Sequence, residues 1–260
     1  FYCQNSGLSC TNNNGNVQSE VIGPLNVTQI YGYDTVNRLV SAQEGSTWSE
    51  TYGYDLFGNR WANSPQGLPS ALTPTAVSAY DETTNRLGTS SGLFEYDNNG
   101  NLTKMSPETL AYDAENRQTK VSSVSDTATY TYDGDGRRVT KTAGGNTTTY
   151  VYDATGELAA EYVTVAQSAD CPTCYLTTDP LGSTRVITDG NGNVVSRHDY
   201  YPFGEELATS NRTSALQYGV TDYVAQRFTG KFRDMTPGAE AGLGLDYFGA
   251  RYYASSMGRM

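Results

Sequence analysis

The sequence predicts an all-β protein made of antiparallel hairpins, and the main evidence is a Tyr-Asp unit that recurs along the first two-thirds of the 260-residue chain. Its aspartates are Asp34, Asp55, Asp81, Asp97, Asp113, Asp133 and Asp153. Aromatic residues alternate with small or polar ones around each unit, which is the two-residue period of a half-buried strand. Successive aspartates lie 16 to 26 residues apart, which fits one or two short strands per repeat and leaves no room for a crossover helix.

The copy Tyr52-Gly-Tyr-Asp-Leu-Phe-Gly-Asn-Arg60 shows how one unit is expected to fold. Its alternating tyrosines predict a strand, and Asp55 can accept a hydrogen bond from the backbone two residues further on. Gly58 and Asn59 tolerate a positive φ at little steric cost, so the chain can reverse there. A second strand then begins at Arg60. Each repeat is therefore predicted to be a hairpin, with its Asp in the turn.

Three segments are predicted in chain order. Residues 1–29 carry no repeat and are expected to cap or link the array, with short strands at 21–22 and 27–30. Residues 30–178 form the repeat array, in which residues 127–132, 138–142 and 147–152 have the strongest β propensity. Three prolines make residues 64–75 a loop or an edge excursion. Residues 179–260 form the third segment, in which 179–204 resume hairpins and a helical turn is expected within 207–225.

The bulk composition fits a thin sheet better than a compact globule. Hydrophobic residues make up only 37% of the chain, tyrosines outnumber phenylalanines 21 to 7, and the mean hydropathy is -0.54. Tyrosine combines an apolar body with a polar tip, which suits a sheet with one packed face and one wet face. The net charge of -11 argues against binding to nucleic acid or to an anionic membrane. No run of 18 apolar residues is present to span a bilayer.

The last third contains five further motifs in a fixed order. They are Asp179-Pro-Leu-Gly-Ser-Thr-Arg-Val186, Asp189-Gly-Asn-Gly-Asn-Val194, Tyr200-Tyr-Pro-Phe-Gly-Glu205, Arg227-Phe-Thr-Gly-Lys231 and Gly244-Leu-Asp-Tyr-Phe-Gly-Ala-Arg-Tyr-Tyr253. Together with the Tyr-Asp units, over about residues 30 to 260, they resemble the YD-repeat proteins of the RHS and teneurin families. Residues 179–260 correspond to the RHS-repeat-associated core.

This resemblance implies a β-sheet that spirals into a hollow shell. In bacterial relatives such shells enclose a C-terminal toxin, and in animal relatives they form the body of a cell-surface adhesion protein. We therefore expect an extracellular or cell-surface structural protein, either the wall of a toxin cage or a subunit of a filament or tube. Its expected partners are further copies of itself or a toxin cargo on a longer parent chain. One alternative is an adhesion module that binds glycans through exposed tyrosines and Trp61; the other is a truncated self-cleaving core.

Arg251 matches the arginine that assists aspartyl self-cleavage in the toxin-enclosing relatives. The catalytic Asp and the scissile bond lie beyond that block in the relatives, whereas this sequence stops at Met260. We therefore expect no enzymatic activity, no cofactor and no metal. The alternative role for Arg251 is structural, stacking on a tyrosine or pairing with a carboxylate such as Asp246. A sequence that begins at Phe1 without Met is expected to be a processed product or a piece of a larger protein.

Four cysteines, Cys3, Cys10, Cys171 and Cys174, are expected to form two disulfides. The last two have the spacing of a redox pair, but the βαβ setting of such a site is absent. A four-cysteine zinc site fits the first spacing poorly. Three connectivities are possible, and the local pairs Cys3–Cys10 and Cys171–Cys174 are favoured. Oxidised cysteines would place the chain outside the cytoplasm.

Two Gly-rich segments and the single histidine are further candidates, for calcium binding and for catalysis respectively. The segments that begin at Asp133 and Asp189 resemble the start of a calcium loop, but neither has the downstream Glu that such a loop needs. Asp-Gly and Asn-Gly pairs are also what tight hairpins require, so plain turns are the preferred interpretation. His198 lies in a segment with strand character and is interpreted as structural, because a Ser-His-Asp triad would depend on this one residue.

Overall fold

A computed structural model describes residues 14–63, 72–88, 91–124, 127–164, 173–207, 211–220, 224–234, 244–249 and 251–260. Within these ranges the protein is all-β and every named strand pair is antiparallel. The helical elements described are single 3-10 turns: Gly23–Leu25, Val77–Ala79, Ser214–Leu216 and Phe228–Gly230. The prediction of an all-β, antiparallel hairpin protein is therefore confirmed, and the third of these turns lies where a helical turn was expected.

The strands follow one another closely along the chain. They are β1 Ser19–Ile22, β2 Val27–Tyr33, β3 Leu39–Glu44, β4 Trp48–Tyr54, β5 Arg60–Ala62, β6 Tyr80–Asp81, β7 Arg86–Leu87, β8 Phe94–Tyr96, β9 Leu102–Met105, β10 Glu108–Tyr112, β11 Gln118–Ser122, β12 Thr127–Tyr132, β13 Arg138–Ala143, β14 Asn146–Tyr152, β15 Leu158–Val163, β16 Tyr175–Thr178, β17 Thr184–Thr188, β18 Val194–Arg197, β19 Phe232–Asp234, β20 Leu245–Tyr247 and β21 Tyr252–Ala254.

Every sheet is a meander, in which each strand pairs with the next one in sequence. Strands β1 to β5 form a five-stranded sheet, β6 and β7 a two-stranded sheet, and β8 to β15 an eight-stranded sheet. Two three-stranded sheets, β16 to β18 and β19 to β21, follow. Short local connections produce this order because each Tyr-Asp unit turns the chain straight back on itself.

Alternation along the strands puts large side chains on one buried face. In β4, for example, Trp48, Glu50 and Tyr52 are buried while the residues between them are exposed. Two hydrophobic clusters result. One joins strands of the array to Tyr201 and Leu207, and the other joins the eight-stranded sheet to residues of β20, β21 and the C-terminal turn. We call residues 179–260 the terminal block. Its described residues in these two clusters therefore pack on the buried face of the array.

The predicted boundaries can be compared with these strands. The three strongest predicted strands correspond to β12, β13 and β14 within one residue at each end. Val27, placed in the N-terminal segment, begins β2, so the proposed limit at residue 29 lies inside a strand. The proposed limit after Thr178 separates β16 from β17, which pair as a hairpin. His198 is buried but lies one residue beyond β18 rather than inside a strand.

Candidate functional site

The repeated aspartates form a turn of constant geometry, which the unit at Asp133 illustrates. The Asp133 N–H donates to the carbonyl of Arg137 at 2.9 Å, and the Asp133 carbonyl accepts from the Gly136 N–H at 3.1 Å. Its Oδ1 accepts two more backbone N–H groups, from Asp135 at 3.0 Å and Arg137 at 2.8 Å. Gly136 has φ +81°, a left-handed conformation that glycine adopts without strain. The carboxylate therefore satisfies the donors of a five-residue loop.

The same backbone pattern occurs at most of the predicted turn positions. The N–H of the Asp donates to the carbonyl four residues later at Asp34, Asp55, Asp97, Asp113, Asp133 and Asp153. Asp81 differs, because its carbonyl accepts from Asn85, four residues on rather than three, so this turn is one residue longer. The two segments that resembled calcium loops, at Asp133 and Asp189, adopt the common turn. No group of three potential metal ligands occurs in the described ranges.

Among its described residues, the terminal block contains four further turns of the same backbone pattern. Sequence reasoning predicted a hairpin turn at Asp189 but placed none of the four in the repeat series. They begin at Asp179, Asp189, Tyr201 and Arg227. Two of them lack the aspartate, so its absence hid them. What all four share is a glycine three residues later with positive φ: Gly182, Gly192, Gly204 and Gly230. The position of this glycine is the sequence signal that could have identified them.

Hydrogen bonds hold the turn carboxylates in their charged form. Donation from the backbone N–H of Arg137 lowers the pKa of Asp133 below its usual value. The Thr83 hydroxyl, with nearby backbone N–H groups, lowers the pKa of Asp81 to about 2, and the Asn101 amide lowers that of Asp97. Hydrogen bonds to a carboxylate favour its ionised state, so these three turns are built around a negative charge.

Neighbouring turns are also joined to one another. The Tyr132 hydroxyl donates to the carbonyl of Gln118 at 2.6 Å. In return, Arg117 Nη1 donates to the carbonyl of Asp133 at 3.3 Å and its guanidinium lies 5.2 Å from the centre of the Tyr132 ring. Equivalent Arg-over-Tyr contacts are Arg38 with Tyr54, Arg86 with Tyr96 and Arg137 with Tyr152. The Tyr, Asp and Arg of the repeat therefore connect each hairpin to the next, and we call this series the turn ladder.

Buried charges join the terminal block to the array, and the first cluster centres on Arg138. Its guanidinium pairs with Asp234 of β19, with side-chain exposures of 1% and 4%, and Lys141 reaches the same carboxylate at 2.9 Å. Arg138 also lies 4.1 Å from the centre of the Tyr247 ring. Because charges this deeply buried need compensating partners, the array and the terminal block are matched to each other here.

A second buried cluster links the two parts through Arg212. Arg212 makes two parallel hydrogen bonds to Glu44, at 2.8 and 2.7 Å, and a third to Asp199 at 2.5 Å. Arg185 balances the remaining charge by pairing with Asp199 at 2.6 Å. Two cations thus face two carboxylates inside the protein, an arrangement in which bidentate geometry offsets the cost of desolvation.

Two further arginines secure the C-terminal strands. Arg233 pairs with Asp246 through two hydrogen bonds of 2.8 and 3.0 Å. Arg60, in β5, lies 3.9 Å from the centre of the Phe203 ring and points Nη2 at the carbonyls of Ser255 and Ser256, each at 3.4 Å. Asp246, the carboxylate suggested as an example of a partner for Arg251, therefore has Arg233 as a partner.

His198 has neighbours that resemble a catalytic triad. Its Nε2 lies 3.2 Å from Ser196 Oγ, and its Nδ1 lies 2.5 Å from Glu206 Oε1. Burial acts to raise the pKa of Glu206, but the hydrogen bond with His198 and the nearby charges of His198, Arg227 and Arg233 together lower that pKa below its usual value. Ser196 has no exposed surface, so a substrate cannot reach its hydroxyl. The structural interpretation of His198 therefore remains the better one.

The remaining predicted sites are only partly described. Arg251 is exposed and lies at a cavity between the array and the terminal block. Cys174 is disulfide-bonded; Cys3, Cys10 and Cys171 lie outside the described residues, so the pairing stays a prediction. Trp61 is half-buried, and its indole N–H donates to Asn63 Oδ1 at 3.0 Å; glycan binding through this residue stays a prediction.

Fold and site together define a hairpin-repeat β wall whose own C-terminal block packs onto its inner face. No family model matches the chain. One curated relative, the toxin subunit YenC2 of Yersinia entomophaga, is 36% identical over 77 residues, which make up 30% of this chain and 7% of that protein. Part of the chain is thus similar to a toxin-complex subunit, and the chain spans a small fraction of that subunit's length.

Solved structures show the same fold over nearly the whole chain. The crystal structure of TcdB2-TccC3-Cdc42 matches 92% of this chain with a TM-score of 0.53 and 18% identity, using 16% of its own length. The crystal structure of TcdB2-TccC3-TEV matches 89% with a TM-score of 0.51 and 20% identity, using 12% of its length. In the described part of this chain, no helix has the length and apolar character needed to cross a membrane.

Proposed function

We propose that the chain is a structural wall segment of an extracellular assembly of the toxin-cage type. The observation that supports this function best is the docking of the terminal block. Arg212 pairs with Glu44, which lies 168 positions away in the sequence. Arg60 donates to the carbonyls of Ser255 and Ser256, which lie 195 and 196 positions away. A repeat array braced across its inner face by its own C-terminal block forms a rigid wall. The partial similarity to a toxin subunit supports the same role.

A structural wall needs no catalytic activity, and we propose that the chain is not an enzyme. The exposed Arg251 makes no ion pair with a carboxylate in the described ranges, and hydrolysis would also need a carboxyl group to activate water. Ser196, the serine that contacts His198 in the described residues, is closed to solvent. We expect the intact mass of the purified chain to stay constant on incubation; fragmentation that disappears in Arg251→Ala would overturn this proposal.

We also propose that the chain is extracellular and that its copies assemble into larger particles. Disulfide-bonded Cys174 fits an oxidising compartment. Among the described residues, no further strand pairs with the outer edges of the repeat sheets, and such edges favour contacts between copies. Whether the finished particle is a closed cage or an open filament depends on how those contacts repeat.

Electron microscopy of native material tests the proposed function. Particles captured from culture medium with an antibody against the chain are expected to show walls around a hollow interior, as cages, tubes or filaments. Recovery of the chain only from the cytoplasm, or as compact monomers at high concentration, would contradict the proposal. A capture with unrelated antibody serves as the control for adventitious particles.

A further inference from the structure

Exposed hydrophobic side chains are concentrated near the two ends of the repeat array. Within the described strands, large hydrophobic residues are exposed only in β1, β2, β14, β15 and β16, and none of the strands β3 to β13 exposes one. Because exposed apolar groups that cluster together mark interaction surfaces, this distribution indicates contacts at the ends of the wall rather than in its middle. The exposed residues are Val21, Ile30, Val151, Tyr162, Val163, Tyr175 and Leu176.

The outermost strands at these two ends lack the residues that usually block an edge. Strand β1 begins the five-stranded sheet and β15 ends the eight-stranded sheet, and no described strand pairs with the outer edge of either. Edge strands are commonly blocked by lysine or proline, but neither of these strands contains a Lys, an Arg or a Pro.

The one acidic residue of each edge strand points to the inner face of the wall. Glu20 of β1 lies opposite buried Gln29, and burial of Tyr150 marks the same face opposite Glu161 of β15. Directly opposite residues of an antiparallel pair have their side chains on one face. The outer face of both edge strands is therefore uncharged.

The outer faces of the two edge strands carry side chains that suit each other. Val21 of β1 is 52% exposed and lies opposite exposed Thr28. Tyr162 of β15 is 65% exposed and lies opposite exposed Thr149. Neighbouring strands of a sheet are about 4.8 Å apart, so joining β1 to β15 would bring a β-branched side chain beside an aromatic one. Aromatic and β-branched residues are a stabilising cross-strand pair.

We propose that β15 of one copy of the chain pairs with β1 of a second copy, so that the wall continues from one molecule into the next. A second copy is the occupant that the structure favours, because one type of contact then covers both open edges and both exposed side chains. The contact is head-to-tail, and repeated head-to-tail contacts build a ring or a filament. The inference rests on the proposed wall function and deepens it, since it names the strand that each edge receives.

Cross-linking between full-length chains that each carry one added cysteine tests this pairing. Val21→Cys and Tyr162→Cys chains are purified separately, mixed, and treated with a short bismaleimide, which joins free thiols. We expect a covalent dimer in the mixture and none from either variant alone, because each contact brings one Val21 position beside one Tyr162 position. The wild-type chain measures the background from the native cysteines.

Val77→Cys is the matched control for Val21→Cys. Val77 is 48% exposed, against 52% for Val21, but it lies in the 3-10 turn Val77–Ala79 and not in an edge strand. Its mixture with Tyr162→Cys should therefore give no dimer above the wild-type background.

Several outcomes would overturn the proposed partner. One is the absence of a dimer from the mixture of Val21→Cys and Tyr162→Cys, and another is an equal yield when Val77→Cys replaces Val21→Cys. A dimer from Tyr162→Cys alone would indicate a symmetric contact between two β15 strands. Strand β16 also exposes Tyr175, so cross-linking of Tyr162→Cys to Tyr175→Cys but not to Val21→Cys would assign the contact to β16 instead.

Failure of this pairing can be told apart from failure of the wall function. None of the cross-linking outcomes bears on the hollow particles expected by electron microscopy, because copies that join through other surfaces could still build a wall. Dimers linked between β15 and β1 in material without walled particles would support the strand pairing and contradict the wall function.

Discussion

Adjacent arginines show how strongly the position of a residue decides its role. Arg137 lies in the turn ladder, with a 35% exposed side chain that pairs with Asp133 and Asp135. Arg138 starts the next strand and points the other way, where its 1% exposed side chain pairs with Asp234 and contacts the Tyr247 ring. The two-residue period of a strand explains the opposite directions. Their energetic roles should differ accordingly.

Arg138→Met should lower the free energy of unfolding by about 3–5 kcal/mol, because it leaves the buried Asp234 carboxylate with one cation instead of two. Arg137→Met is the matched control and should cost no more than about 1 kcal/mol, since exposed ion pairs contribute little. Urea unfolding followed by tyrosine fluorescence measures both. Equal losses for the two variants would mean that the buried pair does not hold the terminal block.

At the scale of a single element, the turn that begins at Asp133 contains two glycines, and only one of them has a backbone conformation that favours glycine. In the turn that begins at Asp133, Gly136 has φ +81° whereas Gly134 does not have a left-handed backbone, and a Cβ added at either would meet open space. Steric crowding is therefore the same, and only the backbone conformation differs. This pair separates conformational strain from packing.

Gly136→Ala should destabilise the protein by about 1–2 kcal/mol, because a left-handed conformation is strained for an L-residue with a side chain. Gly134→Ala should be neutral or stabilising by up to about 1 kcal/mol, since it reduces the freedom of the unfolded chain. Thermal and urea unfolding of the two variants beside the wild type give the comparison. The prediction is wrong if Gly134→Ala proves the more damaging change.

The turn carboxylates should also make stability depend on acid. In the seven turns of the repeat array, the folded pKa of the Asp lies below the value of about 3.9 expected for an unfolded Asp, and it reaches about 2 at Asp81. A lowered folded pKa contributes stability that is complete above the unfolded pKa and is lost as the pH falls through the folded one. The melting temperature should therefore drop steeply from about pH 4 towards pH 2.

Melting curves at successive pH values, with Asp133→Asn as the test variant, check this expectation. The Asn keeps the Oδ1 acceptor but removes the charge, so it should reduce stability near neutral pH and flatten the decline below pH 4. Asp135→Asn, in the same turn but with a 77% exposed side chain, should change the curve little. A wild-type melting temperature that is constant between pH 2 and 6 would contradict the linkage.

The hairpins could be predicted from the sequence and the contacts of the terminal block could not, for a physical reason. A turn is specified within five residues, so Asp113 and its neighbours contain all the information that the local backbone needs. Arg138 and Asp234 are 96 residues apart, and no local pattern marks which carboxylate an arginine will meet. The cavity beside Arg251 could not be predicted for the same reason, because its two walls come from distant parts of the chain.

At the scale of the whole molecule, the outer strands of the sheets are the places where contacts between copies are expected. Strand β15 ends the eight-stranded sheet, and β16 begins a different sheet. No strand of the described residues pairs with the outer edge of β15, which exposes Tyr162 and Val163. An unpaired edge with exposed apolar side chains recruits other strands. We therefore expect this edge to contribute to contacts between copies.

Val163→Lys should reduce self-association, because a lysine on an edge strand is a common block to strand addition. Val151→Lys provides the matched control: Val151 is 42% exposed against 37% for Val163, but it lies in β14, which is paired on both sides. Sedimentation velocity over a range of concentrations measures the effect. If the edge mediates assembly, only Val163→Lys shifts the distribution towards monomer. If both lysines act alike, general hydrophobicity and not the strand edge drives association, and the contacts that build the wall must be sought elsewhere on its surface.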